Sequence, residues 1–568
     1  MTTRRDILKF AGGAAVGALF TPAPWRLIRD SALWSENWPG IPRPARGEIR
    51  AKFTHCALCP AGCAVRARCV GEQPVSLAGT HGGLCPFGIT GHHLPYHPAR
   101  VRSGPVERVA QAIANCPPDE KVAVLDLRPG RTASWSYRRA MAARPNGVYL
   151  AAPRETVAYD LTGVKTVVSL GTPVLDGWGT PGTVFAARER FRLIQVEAVE
   201  SRTAALADWW LAVRPGTEDL VARAIAGEIT VEEASVRTGI PLADAVTEVR
   251  MNGPAIVIGG PAAMAANREL GALGKTVVAQ TEPPVLDAWK KVAAPVTELA
   301  SLPDRSIRVL LIDETSAGGG SLEWSDIAKK LTERPIVAVV AASRGGYARY
   351  ANAILPAAVY PELTDDFPPA VDAVAPSFRI ATPLVAAPKV AVNALDLLGG
   401  VTGDPLRERA DAIHQAGRGM VTTYADGASV AIKSMKPDDF WKALNAGACW
   451  TGPEERRAAA VSEAPEPLES RLPLVVSVEG PAAGGLISPL MSKLYQESNL
   501  RLAPNQVALH PNEARELGLE DGAGALLETS CGGARVSVTF DSSVPPGVVR
   551  AGSHSLCGSA ARAKVVRI

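Results

Sequence analysis

The stretch HCALCPAGCAVRARCV, residues 55–70, carries Cys56, Cys59, Cys63 and Cys69, and GGLCPFG adds Cys85. Clustered thiols do one of three things: they hold zinc, hold an iron–sulfur cluster, or pair as disulfides. Taken as Cys56, Cys59, Cys63 and Cys85, the spacing is C-x2-C-x3-C-x21-C, three thiols together and one apart. Structural zinc sites usually bring their ligands two and two, which this spacing fits poorly. Disulfides suit an exported chain, but nine cysteines in 568 residues fall far below a disulfide scaffold. A [4Fe–4S] cluster needs four thiolates converging on one inorganic core. Pro60 and Gly62, and Pro86 and Gly88 beyond Cys85, allow tight backbone turns whose N–H groups face the sulfides. The pattern points first to one [4Fe–4S] cluster on Cys56, Cys59, Cys63 and Cys85, with zinc and disulfides as the alternatives. Cys69 reads as a buried thiol outside the set. His55 and His81 are near enough in sequence to be ligands, and read instead as solvated side chains.

These residues need a scaffold, and the chain supplies one in distinct textures. The first 30 residues read as a leader: Arg4 and Arg5, then Ile7, Leu8 and Lys9, then a weakly apolar run from Phe10 to Phe20. The pattern resembles a twin-arginine export signal, and the run is too short to span a bilayer as a mature helix. With no Ala-x-Ala cleavage site evident near Thr21 to Trp25, the segment is expected to serve as a signal or an anchor. Twin-arginine export carries folded proteins, commonly with a cofactor already inserted. That places the mature chain in the periplasm or on the outer face of the cytoplasmic membrane. The cysteine module is assigned to residues 31–105, including a Pro- and Arg-rich strap over 38–50.

From residue 106 to 450 the pattern is α/β. Short β-branched runs (VAVLDLRPG, TVVSLGTP, RLIQVEAV, AIVIGG, TVVAQT, VLLIDET and IVAVVAAS) alternate with helix-compatible stretches. Continuous apolar runs of this length predict buried parallel strands in one or two doubly wound units. Residues 451–472 read as a linker. Residues 473–568 read as a small β-barrel of short strands, with one helix between Pro511 and Gly518. The 60 basic and 57 acidic residues nearly cancel, which gives no case for a nucleic-acid partner.

The cysteine spacing with HGGLCPFG resembles the N-terminal domain of the molybdopterin oxidoreductases of the DMSO-reductase type. The resemblance extends through LTGVKTVVSLGTP, VEAVESRTAALADWWLAVRPGTED and YARYANAILPAAVYPELTDDF to the C-terminal QVALHPNEARELGLEDGAGALLETSCGG. It implies an Fe–S module, doubly wound parallel-sheet domains and a C-terminal barrel of the dinucleotide-binding type. The departures matter as much. The family's Asp-Pro-Arg falls on Glu197, Ala198 and Val199, the Asn of its Gly-Asn-Pro on Thr172, and its basic residue after the fourth cysteine on Phe87. The connection that would carry a molybdenum ligand holds only Thr156 and Asp160 as candidates and is short.

The chain therefore looks like the Mo-free subgroup of that family, the molybdopterin-like subunits of menaquinone reductase and alternative complex III. WRLIRDSALWSENWPGIPRPARGE and SPLMSKLYQESNLR are similar to stretches of that subgroup and suit docking. The resemblance implies an iron–sulfur electron-transfer subunit of a membrane-associated, quinone-linked respiratory oxidoreductase, peripheral to the membrane. Its partners would be a ferredoxin-like Fe–S subunit, a multihaem cytochrome c and an NrfD-type membrane subunit. Two other readings stand beside it. One is a catalytic subunit with Mo-bisPGD in a divergent site. The other is a structural scaffold in which the cluster only stabilises the fold.

Overall fold

The computed structural model describes residues 47–460 apart from 81–82, 261, 316–321 and 401. It also describes 474–478, 505–529, 532–551 and 562–568, with a few isolated positions elsewhere. The leader, the strap before residue 47, His81, most of the linker and nearly all of SPLMSKLYQESNLR lie outside the described residues.

Six of the seven apolar runs form parallel strands, but in two sheets. The first sheet runs Ala353–Pro356, Leu331–Ala341, Ile307–Glu314, Lys121–Asp126 and Gly147–Ala151, all parallel. The second runs Ala255–Ile258, Thr166–Leu170, Arg192–Val196 and Trp209–Leu211, also parallel. The second sheet is built wholly from chain that lies between two strands of the first. Central strands are apolar along their length because both faces are covered: Val122, Val124, Leu310 and Leu311 are all fully buried.

The seventh run, TVVAQT, is a correction. Its strand Val277–Ala279 pairs antiparallel with Val157–Tyr159 in a two-stranded ribbon outside both parallel sheets. Two valines and an alanine do not specify a neighbour; the partner that the fold delivers does. An antiparallel sheet over Asp365–Asp366, Ser377–Ala381, Cys449–Thr451, Met420–Thr422 and Ser429–Ala431 was also not legible. Its strands are two to five residues long and alternate weakly.

The C-terminal strands close into a six-stranded barrel, ordered Leu474–Val478, Val548–Ala551, Gln506–Leu509, Gly532–Phe540, Gly524–Thr529 and Arg562–Arg567. The helix Pro511–Glu516 starts at its proline and gives way to Gly518 in the left-handed region, φ 68°, as expected.

The cysteine segment forms a three-stranded antiparallel sheet, Ile49–His55, Ala64–Val70 and Gln73–Gly79. The turn between its first two strands contains Cys56, Cys59 and Cys63. This small sheet does not stand apart. Cys56, Val65 and Cys69 share one apolar core with Val109, Val122, Leu355 and Val359 of the first α/β unit. A buried ion pair fastens the same junction. Arg100 reaches Glu362 at 2.6 Å, with side chains 4% and 2% exposed, and also donates to the carbonyls of Pro95 and Ala357.

Candidate metal centre

The antiparallel register dictates where the first three cysteines go. His55 pairs with Ala64, so residues 56–63 must close as a tight turn. Cys56 N donates to Cys63 O at 2.8 Å, and Gly62 N to Cys59 O at 3.2 Å. Gly62 takes φ 52°, a conformation that favours glycine. Cys85 arrives from the other side, at the start of the short helix Pro86–Ile89, with Ile89 N on its carbonyl. Gly88 of that helix lies close against the turn: a Cβ there would stand 3.4 Å from Cys56 Sγ.

One turn carries Cys56, Cys59 and Cys63, and Cys85 lies near enough to act electrostatically on all three. Burial pushes Cys56 well above an ordinary thiol, and the charges of Cys59, Cys63 and Cys85 push it further. Burial and Cys85 raise Cys59 to about 11, while the N–H groups of Ala61 and Gly62 and the Arg379 guanidinium pull the other way. Burial, Cys59 and Cys85 raise Cys63 to about 12. Peptide N–H groups therefore do face sulfur: Leu58 at Cys56, Ala61 and Gly62 at Cys59. None of the seven described cysteines forms a disulfide. Among the described residues, no three His, Cys, Asp or Glu side chains come together tightly enough to hold a metal ion.

Cys69 lies outside the set, as expected. It is fully buried in the middle strand, and the charges that act on it are those of Lys52 and Glu72. His55 corrects the reading of a solvated side chain. It is 1% exposed, with Nδ1 3.1 Å from Ile380 O and its ring edge-on to Phe367 and Tyr424. Burial, then the nearby Arg379 charge, lower it to about 3, so it is neutral. The sequence placed it beside a cysteine; only the third sheet and its loops bring the two aromatic rings that bury it.

Two residues near the thiols had no signal in the cysteine motif. Tyr360 comes from the 3-10 turn Tyr360–Glu362, within YARYANAILPAAVYPELTDDF. Its hydroxyl is buried without a conventional hydrogen-bond partner and interacts with the Cys56 thiol. Gly91 is needed for this approach, since a Cβ there would stand 2.4 Å from the Tyr360 ring. Arg379 comes from the antiparallel strand Ser377–Ala381 and lies across the cysteine turn.

The positions where the chain departs from the family are also built. Glu197 accepts from Ser201 N at 3.2 Å, at the entry to the short helix Arg202–Ala205. Thr172 gives its carbonyl to Ser169 Oγ and Gln195 Nε2. Burial raises Glu197, Glu218 and Asp219 near the carboxyl end of the second sheet. Asp160 is ion-paired to Arg456 at 2.5 Å and caps Thr162 N.

At the carboxyl end of the first sheet, Arg131 is buried against Asp126, Asp313 and Asp365. Arg128 also reaches Asp365, and Tyr137 donates to Asp313. Burial alone would raise Asp313, but Arg131 and Arg128 hold it well below the usual carboxylate range. Arg131, Tyr137, Asp313 and Asp365 line a cavity of about 400 Å³ with Thr132 and Asn393. Open α/β sheets place ligands at this edge. Here the edge keeps a cavity whose wall carries the protein's own paired charges.

The backbone as a whole matches acetylene hydratase from Pelobacter acetylenicus with a TM-score of 0.61, covering 89% of this chain and 93% of that one at 12% identity. The two chains share one overall fold. In sequence, the chain is 27% identical over 271 residues to the menaquinone reductase, molybdopterin-binding-like subunit, of Nitratidesulfovibrio vulgaris. That match spans 39% of this chain and 39% of the relative's length. No protein-family model matches. The resemblance drawn from the cysteine and Arg-Pro-Gly-Thr segments thus has both a sequence relative and a structural neighbour behind it. Among the described residues no helix is long and apolar enough to cross a membrane.

Proposed function

We propose that this chain is an iron–sulfur electron-transfer subunit of a membrane-associated, quinone-linked respiratory oxidoreductase. It holds one [4Fe–4S] cluster on Cys56, Cys59, Cys63 and Cys85 and carries no molybdenum. The observation that carries the reading is the tight turn that gathers Cys56, Cys59 and Cys63, with the helix that follows Cys85 packed against Cys56 Sγ. N–H···S contacts and burial are what set a cluster's potential. A zinc ion needs its ligands on one centre, whereas a cubane spreads four thiolates over four irons. When bound, the cluster supplies one-electron redox chemistry; the chain's part is to hold it, bury it and bring donors to its sulfurs.

The residues at the second sheet edge do not suit a dinucleotide of the pterin type. Glu197, Glu218 and Asp219 are acidic groups near that edge, and at the first edge Arg131 is already paired to Asp313 and Asp365. The relative's name supports placement with a menaquinone reductase. On that reading the chain is exported by the twin-arginine route to the outer face of the membrane. There it docks with a ferredoxin-like Fe–S subunit, a multihaem cytochrome c and an NrfD-type membrane subunit.

The test is the iron, molybdenum and pterin content of the full chain purified without oxygen. About four irons per chain, with neither molybdenum nor pterin, is the expected result. One molybdenum per chain returns the catalytic reading; zinc without iron overturns the cluster.

A further inference from the structure

Arg379 is a cation placed against the cysteine turn without a carboxylate partner. Its guanidinium lies on Gly62 so closely that a Cβ there would stand 2.6 Å from Nε and 2.9 Å from Nη2. Nη2 donates to Ala61 O at 2.8 Å, and the group lies over the Phe367 ring at 5.5 Å. Nε is buried and has no hydrogen-bond partner. Among the described residues no ion pair engages Arg379. The acidic side chain that acts on Cys63, Asp372, accepts from Thr180 N and Oγ1.

An unpaired cation in a partly buried site is costly unless something nearby carries the opposite charge. Among the described residues no carboxylate does this, but four thiol positions lie nearby. Thiolates around a cubane carry more negative charge than the iron core offsets, so a loaded centre completes the pair. The residues just after the fourth cysteine, Pro86 and Phe87, carry no charge. The cation instead arrives some 300 residues later in the chain, from another sheet.

We infer that Arg379 is a positioning residue that supplies the compensating charge of the cysteine centre and sets its reduction potential. This rests on the cluster reading above. A fixed positive charge beside the cluster favours the reduced form, which carries one more negative charge. Its removal therefore lowers the midpoint potential. The Nε–H, left without a protein acceptor, provides a donor on the same side.

The experiment is a redox titration of the purified full chain, followed by electron paramagnetic resonance, with iron counted in each sample. The variants are Arg379→Gln, which keeps polarity and loses charge, and Arg379→Lys, which keeps charge. Arg379→Gln is expected to shift the reduction equilibrium about tenfold toward the oxidised form, or about 59 mV downward for one electron. Arg379→Lys should stay near the parent value. Unchanged iron with an unmoved potential in Arg379→Gln overturns the inference and leaves the cluster reading standing. If Arg379→Gln loses iron, retention of iron and potential by Arg379→Lys supports the charge role, and its loss there too overturns it. A parent chain without iron overturns the cluster reading and this inference with it.

Discussion

Replacing Arg100 by Met is expected to loosen the seam between the cysteine module and the first α/β unit. The side chain makes two contacts with Glu362, at 2.8 and 2.6 Å, and two with backbone carbonyls, all in a site closed to water. Removing one partner of such a pair strands the other. The cost in buried sites is about 3–5 kcal/mol. Glu362 keeps the Val359 N–H at 3.1 Å, which argues for the lower half of that range. At about 1.4 kcal/mol per tenfold, local opening rises roughly 100- to 700-fold. Amide hydrogen exchange, read by mass spectrometry over residues 86–101 and 355–363, reports this directly. The double variant Arg100→Met, Glu362→Gln should exchange more slowly than Arg100→Met alone, because the stranded carboxylate is gone. A rise below tenfold in both segments for the single variant, or a double variant worse than the single, refutes the argument.

Serine in place of Cys56, Cys59, Cys63 or Cys85 should each lower bound iron sharply, whereas Cys69→Ser should leave it near the parent value, as iron assay and visible absorption will show. Glu314 is pushed up by burial to about 7, above its ordinary 4.5. The folded state therefore binds the extra proton, so its stabilising contribution is present below about 4.5 and is lost as pH rises through 7. Glu314→Gln should flatten urea stability over that window and leave the protein more stable than the parent at pH 8. Gly91→Ala should cost about 1–3 kcal/mol, because the added Cβ meets the Tyr360 ring; unchanged urea stability would contradict that packing.

Much of the α/β framework was legible because buried parallel strands are apolar without interruption, and a run such as VLLIDE has few other fates. The barrel's helix was legible from Pro511 and Gly518, whose backbone preferences act locally. TVVAQT misled for the converse reason: a three-residue strand takes the orientation of whatever pairs with it. The antiparallel sheet that delivers Arg379 left no periodic trace in strands this short.

By itself the sequence determined the four thiols, their spacing, and the glycines that let a turn close around them. Those are local properties, fixed by residue type and by a few neighbouring dihedrals. Tertiary structure alone decided what surrounds them. His55 became a buried neutral ring because Phe367 and Tyr424 reach it from afar. Tyr360 and Arg379 meet the cysteines across about 300 residues of chain, because a shared core and the Arg100–Glu362 pair hold the two units together. No spacing rule encodes such a meeting, since it depends on how sheets pack and not on the order of residues within either one.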